Sequence, residues 1–366
     1  MRSSTGAHYI ALDHVRALAA FMVFTWHFTH GSNGYPVLYN DAPLLFPLSL
    51  LDEGHTGVAL FMTLSGYLFA KLLDGKTIHY GSFLWNRCLR LLPLLFLVIV
   101  IVGIREFIAL QKFSGEDVIA YSIFIAKGAV LPTLPNGGWS ITAEFHFYLV
   151  LPLFLWMLRR SKFLPFSIVI AAIMLRVALY SIYGQVQSFA FLTIIGRIDQ
   201  FALGMILYQF RSSIAGRHII AVATMTAFTL FYWYFDWHGG FYNYPFYPSP
   251  YRFWIFIPTI EGLAYAVCIA WYDSSFSPST TGVSRFIGRI GEYSYSIYLL
   301  HFFVVLYAAR FVQERVMDIS GFYPACMWAM VFFLLMMPVS YLSYRFIESP
   351  FLKLRKRYII AQQVSE

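Results

Sequence analysis

Several ionisable side chains lie inside apolar stretches of this sequence, where burying a charge costs free energy. The stretch YIALDHVRALAAFMVFTWHFTH (9–30) is apolar enough to enter a bilayer, yet it carries Arg16 near its start and His27 eleven residues further on. Ionisable groups inside a membrane span usually mark a pathway or a binding site, so they are the first candidates for chemistry. Later apolar stretches carry five more: Glu144, Arg197, Asp199, Glu261 and His301.

A second group of basic residues has the chemistry of an anion site. In WNRCLRLLP (85–93), Arg87 and Arg90 are three residues apart and therefore share one face of a helix. Planar guanidinium groups match phosphate oxygens, so with Arg16 they could hold a polyanion. Their positive charge alone would equally allow these arginines to anchor the helices at the lipid headgroups. A single buried histidine, or the RIDQF segment (197–201), can also be purely structural.

Membrane helices are the elements that must position these residues. Of the 366 residues, 59% are hydrophobic and only 12% are charged, more apolar surface than a soluble domain of this length can bury. We therefore predict an all-α integral membrane protein with about ten transmembrane helices, each long enough for a hydrocarbon core of ~30 Å. The predicted spans are 10–30, 54–72, 84–106, 139–158, 163–183, 189–209, 218–237, 252–272, 291–311 and 323–346.

The distribution of basic residues predicts the orientation. Most of the 26 Lys and Arg residues fall on one side of the membrane if the apolar segment 117–130 does not cross. If it did cross, RRSK (159–162) and KLRKR (353–357) would fall on opposite sides. Because basic loops stay in the cytoplasm, we predict cytoplasmic termini and an interfacial or re-entrant helix near 117–130. The same rule explains the net charge of +8 without a nucleic-acid partner.

Topology then assigns each candidate residue a depth. Arg16 lies near the cytoplasmic face, and His27 lies about 16 Å higher, in the outer half. The five ionisable residues of the later spans fall at outer or middle depth, so we expect one buried polar layer above an arginine cluster. We predict one transmembrane domain over 1–352 and a basic cytoplasmic tail over 353–366. The three cysteines have no metal-ligand spacing, and we predict no metal site.

Seven motifs follow one another in the order of a known family. They are YIALDHVRALAAFMVFTWH, GVALFMTLSGYLFA, WNRCLRLLP, WSITAEFHFYLVLP, IGRIDQFALGM, IGEYSYSIYLLH and SYLSYRFIESPF. Together they resemble the membrane-bound acyltransferase-3 family over residues 9–351. The resemblance implies a multi-pass enzyme, in a bacterium most simply in the cytoplasmic membrane. It would transfer an acyl group, first of all acetyl, from cytoplasmic acetyl-CoA to a hydroxyl of a carbohydrate or glycoconjugate at the outer side.

The resemblance also implies roles for individual residues. His27 falls on the essential histidine of the first helix, and a histidine of near-neutral pKa suits general-base work on an attacking hydroxyl. Glu144 could orient its imidazole, as a carboxylate does in a triad. The predicted donor contacts are Arg16, Arg87, Arg90, Ser65 and Tyr148. The predicted acceptor contacts are Trp139, Arg197, Asp199 and His301.

The expected partners follow from the same reading. They are acetyl-CoA, a carbohydrate or glycolipid acceptor and membrane lipids, with self-association into a homo-oligomer left open. The aromatic loop 235–254 is expected on the outer side, where its rings could stack on sugars or form an interfacial belt. A polytopic transporter is the main alternative, because buried His, Glu and Arg also build proton relays. We find no half-to-half repeat that would favour it.

Overall fold

Helices make up nearly all the regular structure of the computed structural model, which describes residues 9–31, 33–109 and 114–360. The longer helices are α1 (Ile10–His30), α3 (Gly57–Leu73), α4 (Tyr80–Ala109), α5 (Gly115–Lys127), α6 (Trp139–Arg160), α7 (Phe166–Tyr183), α9 (Ile194–Gln209), α11 (His218–Trp237), α13 (Ile257–Ser275), α14 (Gly282–Glu292), α16 (Val305–Arg315) and α17 (Phe322–Ser343). The shorter ones are α2 (Ser49–Asp52), α8 (Gln187–Leu192), α10 (Arg211–Ile214), α12 (Gly240–Asn243), α15 (Ser294–Leu300) and α18 (Ser349–Leu352). Single 3-10 turns lie at Phe46–Leu48, Gly54–Thr56, Arg252–Ile255 and His301–Phe303, and a π turn at Tyr344–Glu348.

Several helices have the length and composition of membrane spans. Within the described residues six qualify: Gly54–Leu73, Tyr80–Ala109, Trp139–Arg160, Phe166–Tyr183, His218–Trp237 and Phe322–Leu352. The pair Ser294–Phe303 and Val305–Arg315, bent by 55°, would make a seventh if it forms one span. The all-α, multi-pass membrane architecture is therefore confirmed. The count of about ten spans stays a prediction, and so does the cytoplasmic placement of the termini, because 1–8 and 361–366 lie outside the described residues.

Two helices that carry candidate residues, α1 and α9, are not among the six that qualify. α1 forms as one unbroken helix of 21 residues, but Asp13, Arg16 and His27 make it less apolar than an ordinary span. The predicted span 189–209 is divided at Thr193 into α8 and α9, and α9 has only 16 residues. Both are nevertheless largely buried by neighbouring helices, which is how a protein keeps polar side chains away from lipid.

The predicted segment 117–130 forms the helix α5 up to Lys127, and residues 128–130 form a turn. A capping box starts this helix, since Ser114 accepts from the Asp117 amide and the Asp117 carboxylate accepts from the Ser114 amide. With 13 residues it is shorter than a bilayer requires. Its Tyr121 hydroxyl donates to the carbonyl of Ile99 at 2.9 Å and so ties it to α4. These features fit a helix that does not cross, and its position in the bilayer stays a prediction.

Close contact between α3 and α9 forms the centre of the bundle. A Cβ atom on Gly66 would lie 2.1 Å from the carbonyl oxygen of Phe201, and one on Gly204 would lie 2.1 Å from that of Thr63. Only glycine permits this approach, which is a common way of packing membrane helices. The contact with α9 occupies one face of α3, and Ser65 on another face of α3 lines a cavity.

The C-terminal segment 353–360 docks against the start of α4. Strands β1 (Thr77–Ile78) and β2 (Ile359–Ile360) pair in antiparallel register. The Asn86 side chain donates to the carbonyl of Lys356 at 2.7 Å and accepts from its amide at 2.9 Å. Tyr358 is buried with its ring 5.5 Å from that of Phe83. The described part of the basic tail is therefore held in place beside the arginine-bearing face of α4.

Candidate active site

A cavity of about 80 Å³ lies between α1, α3, α4, α6 and α15; we call it the inner cavity. Its α3 lining runs from Val58 to Phe69, which corresponds to about 16 Å along the helix axis. All five residues expected to contact the donor line it: Arg16, Ser65, Arg87, Arg90 and Tyr148. Tertiary packing thus gathers residues that are scattered over 132 positions of the chain.

Arginines mark one end of the inner cavity. Arg16 forms an ion pair with Asp13 one turn away on α1. The Arg87 guanidinium lies 5.4 Å from the ring centroids of both Phe69 and Phe83, and the residue is only 8% exposed. Its Nε is buried and has no hydrogen-bond partner among the described residues. Because buried donors are normally satisfied, such an N–H is suited to an anionic ligand.

Neutral hydroxyl groups and a carboxylate line the rest of this cavity. Glu144 accepts hydrogen bonds from Ser65 at 3.3 Å and from the hydroxyl of Tyr148. Further along, Ser140 donates to the Tyr298 hydroxyl at 2.8 Å, and Tyr298 donates to the carbonyl of Gly137 at 3.1 Å. The inner cavity therefore changes from cationic to neutral polar along its length.

His27 lines a second cavity of about 370 Å³, the outer cavity. Aromatic and polar side chains complete it: Trp26, His30, Asn33, Tyr39, Tyr242, Asn243 and Phe302, with Gly31. Tyr242 belongs to the aromatic loop 235–254, and its ring stacks on Trp26 with centroids 5.8 Å apart. The loop therefore contributes directly to the cavity that contains His27.

A second histidine supports the ring of His27. The His27 Nδ1 lies 2.9 Å from the carbonyl oxygen of Val23 and 3.3 Å from the His301 Nε2. The His301 Nδ1 lies 2.6 Å from the carbonyl oxygen of Tyr298. Because a carbonyl only accepts, we assign the proton of each neutral ring to Nδ1. The His27 Nε2 then carries a lone pair, and it makes no hydrogen bond among the described residues.

His301, and not Glu144, lies beside the imidazole of His27. Glu144 accepts from Ser65 and Tyr148 in the inner cavity, and the His301 Nε2 is 3.3 Å from the His27 Nδ1. A depth predicted from position along a helix does not determine which face of the helix a side chain occupies.

Two other members of the expected polar layer belong to separate buried networks. Asp199 forms an ion pair with Arg176 at 2.7 Å, and both are fully buried. Glu261 accepts from Thr56 at 2.7 Å and from Gln200 at 2.9 Å. Asp199 lines neither cavity, and its contact with an acceptor stays a prediction without support from this arrangement. Its carboxylate holds helices together.

Arg197 and Trp139 form a third buried group. The Arg197 guanidinium lies 4.3 Å from the ring centroid of Phe191 and 5.6 Å from that of Trp139. Its Nη1 donates to the Gln200 side chain at 3.2 Å. Neither residue lines the inner or the outer cavity, although Trp139 directly precedes Ser140, which does. Contact between these two residues and an acceptor therefore has no support in this arrangement.

Sequence reasoning missed residues that the structure places in or beside the site. Tyr298 lines the inner cavity, and its carbonyl accepts from His301. The signal for it was available, because Tyr298 and His301 are three residues apart in SIYLLH and share a helix face. The His30 Nε2 at the outer cavity lies 3.0 Å from the Asp52 Oδ1. No sequence pattern predicted this contact, because Asp52 comes from a different element.

The fold and the two cavities define a multi-pass membrane protein with an arginine-ended cavity next to a histidine pair. The sequence matches the acyltransferase-3 family, described as an acyltransferase domain, over residues 9–345, so the chain belongs to this family. No solved structure matches the chain.

Curated relatives are similar over part of their own length. One relative is a protein of Staphylococcus aureus (strain COL) that is named, by inference, as an O-acetyltransferase. It is 25% identical over 83% of this chain and 53% of its own length. The peptidoglycan O-acetyltransferase OatA of Listeria monocytogenes is 26% identical over 40% of this chain and 24% of its own. A regulator of hypoxia-inducible factor 1 from Caenorhabditis elegans is 26% identical over 37% and 31%. The chain spans about half the length of the Staphylococcus aureus relative.

Proposed function

We propose that this protein is a membrane-bound O-acyltransferase that moves an acyl group, first of all acetyl, from cytoplasmic acyl-CoA to a hydroxyl group of a carbohydrate or glycoconjugate on the outer side of a bacterial cytoplasmic membrane. The observation that carries the proposal is the inner cavity, with arginines at one end and hydroxyl groups close to the histidine pair at the other. Membership of the acyltransferase-3 family supports the same reaction class.

The donor fits the inner cavity by charge and by length. Coenzyme A ends in phosphate groups and carries its thioester on a long, flexible, neutral arm. Arg16, Arg87 and Arg90 would bind the phosphates, since charge-assisted hydrogen bonds to guanidinium are strong and directional. The arm would extend about 16 Å past Ser65 and Glu144 toward Tyr298. This arrangement leaves the thioester one helical turn from His301.

His27 would act as the general base. As the acceptor oxygen attacks the thioester carbonyl, its proton passes to the Nε2 of His27, and the C–O bond forms. Collapse of the tetrahedral intermediate breaks the C–S bond, and the imidazolium returns its proton to the departing thiolate. A positive charge on His27 is stabilised at Nδ1, which donates to Val23 and to the His301 Nε2. The Tyr298 hydroxyl is the nearest candidate donor for the oxyanion in the inner cavity.

The acceptor would bind in the outer cavity. Tyr242 and Trp26 offer flat apolar faces, and Asn33 and Asn243 offer amide groups for sugar hydroxyls. One relative is named for acetylation of peptidoglycan, and a carbohydrate acceptor is proposed here by the same reasoning.

The test is an assay of purified protein in detergent with acetyl-CoA. Release of free thiol that depends on an added envelope glycan is expected, together with an added acetyl mass on that glycan by mass spectrometry. His27→Ala should abolish both, whereas the exposed control His238→Ala should retain them. A transporter would release no thiol under any of these conditions. Full activity of His27→Ala would overturn the assignment of the base.

A further inference from the structure

Arg355 in the docked C-terminal segment is a half-buried cation with unsatisfied donors. Its Nε and Nη2 are shielded from solvent and have no hydrogen-bond partner among the described residues. Its neighbours Lys353, Lys356 and Arg357, by contrast, are all exposed. A long basic side chain in a flexible tail would normally reach water, so the fold holds this one inward.

The docking contacts place Arg355 beside the arginine end of the inner cavity. The amide and carbonyl of the next residue, Lys356, are bonded to Asn86, the residue that precedes Arg87. Phe83 touches both the ring of Tyr358 and the guanidinium of Arg87. Burial together with the nearby guanidinium groups of Arg90 and Arg87 lowers the pKa of Arg355 to about 10.

Among the described residues, basic groups outnumber acidic ones around Arg355. The guanidinium groups of Arg87 and Arg90 are close enough to Arg355 to repel its charge. The acids that act on this group are Glu144, through Arg90, and Glu348. Both carboxylates already accept hydrogen bonds from hydroxyl groups, Glu144 from Ser65 and Tyr148 and Glu348 from Ser296. Gathering like charges in a buried place costs free energy, and a polyanionic ligand would recover it.

We infer that Arg355 is a phosphate-binding residue of the donor site, and that the segment 353–360 serves to place its guanidinium beside those of Arg87 and Arg90. The inference rests on the proposed function, because it takes the ligand to be the nucleotide end of an acyl-CoA. Coenzyme A carries a diphosphate and a separate 3′-phosphate, so it offers anionic oxygens to a fourth guanidinium group besides those of Arg16, Arg87 and Arg90. The tail thus becomes part of the binding site.

Calorimetric titration of the purified full chain with coenzyme A tests this. Arg355→Ala should weaken binding by about 10-fold to 100-fold, the effect of losing a charge-assisted contact. The matched control Arg357→Ala removes the same charge two residues away from an exposed position and should change the affinity less than about 3-fold. Arg355→Lys should recover only part of the loss, because a point charge replaces a planar fork.

A second readout separates binding from a structural role. If Arg355 served only to hold the fold, Arg355→Ala would lower the unfolding temperature of the ligand-free protein and leave the affinity of the folded fraction unchanged, which would overturn the inference. We expect the reverse: ligand-free stability is kept or rises, since one of three like charges is removed, and stabilisation by coenzyme A is lost.

Further outcomes of the titration separate a failure of the proposed function from a failure of the inference. If the wild-type protein does not bind coenzyme A, the proposed function fails first. If it binds and Arg355→Ala binds equally well, only the inference fails. The titration is repeated in nanodiscs of phosphatidylcholine with and without phosphatidylglycerol. An effect of Arg355→Ala that requires phosphatidylglycerol would assign the residue to lipid headgroups and would also refute the inference.

Discussion

His301 offers the sharpest test of the proposed chemistry, because the structure lets it act only through His27. It is 1% exposed and does not line the outer cavity, but its Nε2 lies 3.3 Å from the His27 Nδ1. It is therefore a positioning residue. In the transition state His27 carries a positive charge, and its Nδ1–H donates more strongly to the His301 nitrogen.

The size of this contribution can be estimated from the type of hydrogen bond. A bond to a charged group contributes about 1.5–3 kcal/mol, so His301→Ala should lower kcat by about 10-fold to 150-fold. KM for the donor should stay nearly unchanged, because His301 does not line the inner cavity. Loss of the base itself in His27→Ala should cost about 10²-fold to 10⁴-fold. His301→Gln keeps an acceptor oxygen and should retain part of the activity.

The double variant decides the question. If His301 acts only through His27, adding His301→Ala to His27→Ala should cause no further loss, since residues that work as a unit are not additive. Steady-state kinetics of thiol release by the four proteins give the coupling. Multiplicative losses, or a His301 variant worse than the His27 variant, would show that His301 has its own contact with the reacting atoms and would refute the arrangement.

Three further predictions concern the inner cavity and the bundle. Phe61 lines the inner cavity 6.1 Å from the ring of Tyr298, so Phe61→Trp should shorten the space for the acyl group and reduce turnover of butyryl-CoA more than that of acetyl-CoA, as thiol release will report. Gly66→Ala pushes a methyl group onto the Phe201 carbonyl of α9 and should lower the free energy of unfolding by about 1–3 kcal/mol, as thermal unfolding will report. The control Gly81→Ala has no close backbone neighbour and should lower it by less than about 1 kcal/mol. Arg176→Ala leaves Asp199 buried without its cation and should destabilise the fold by about 3–5 kcal/mol, while the specific activity of the folded fraction is kept; loss of activity with no loss of stability would contradict this structural role.

The sequence alone determined the class of the protein and most of the donor site. Composition requires an all-α membrane fold because no soluble core could bury so many apolar residues. Arg16, Arg87 and Arg90 could be grouped because motif positions and helix periodicity place them near one face of the membrane. All five predicted donor residues do line one cavity. His27 and His301 could be assigned to a common depth in the same way, and they lie side by side.

Only the tertiary structure decided which polar residues face each other. Depth along a span follows from sequence, but the direction of a side chain depends on how helices rotate and pack. Gly66 and Gly204 set the close contact between α3 and α9, and in this packing the Ser65 hydroxyl donates to Glu144. The partner of Asp199 is Arg176 for the same reason, because the two charges come from helices whose adjacency no local pattern encodes. Arg355 reaches the arginine cluster only because a strand pair and the Asn86 side chain fold the tail back, and contacts between residues 270 positions apart are a property of the folded chain.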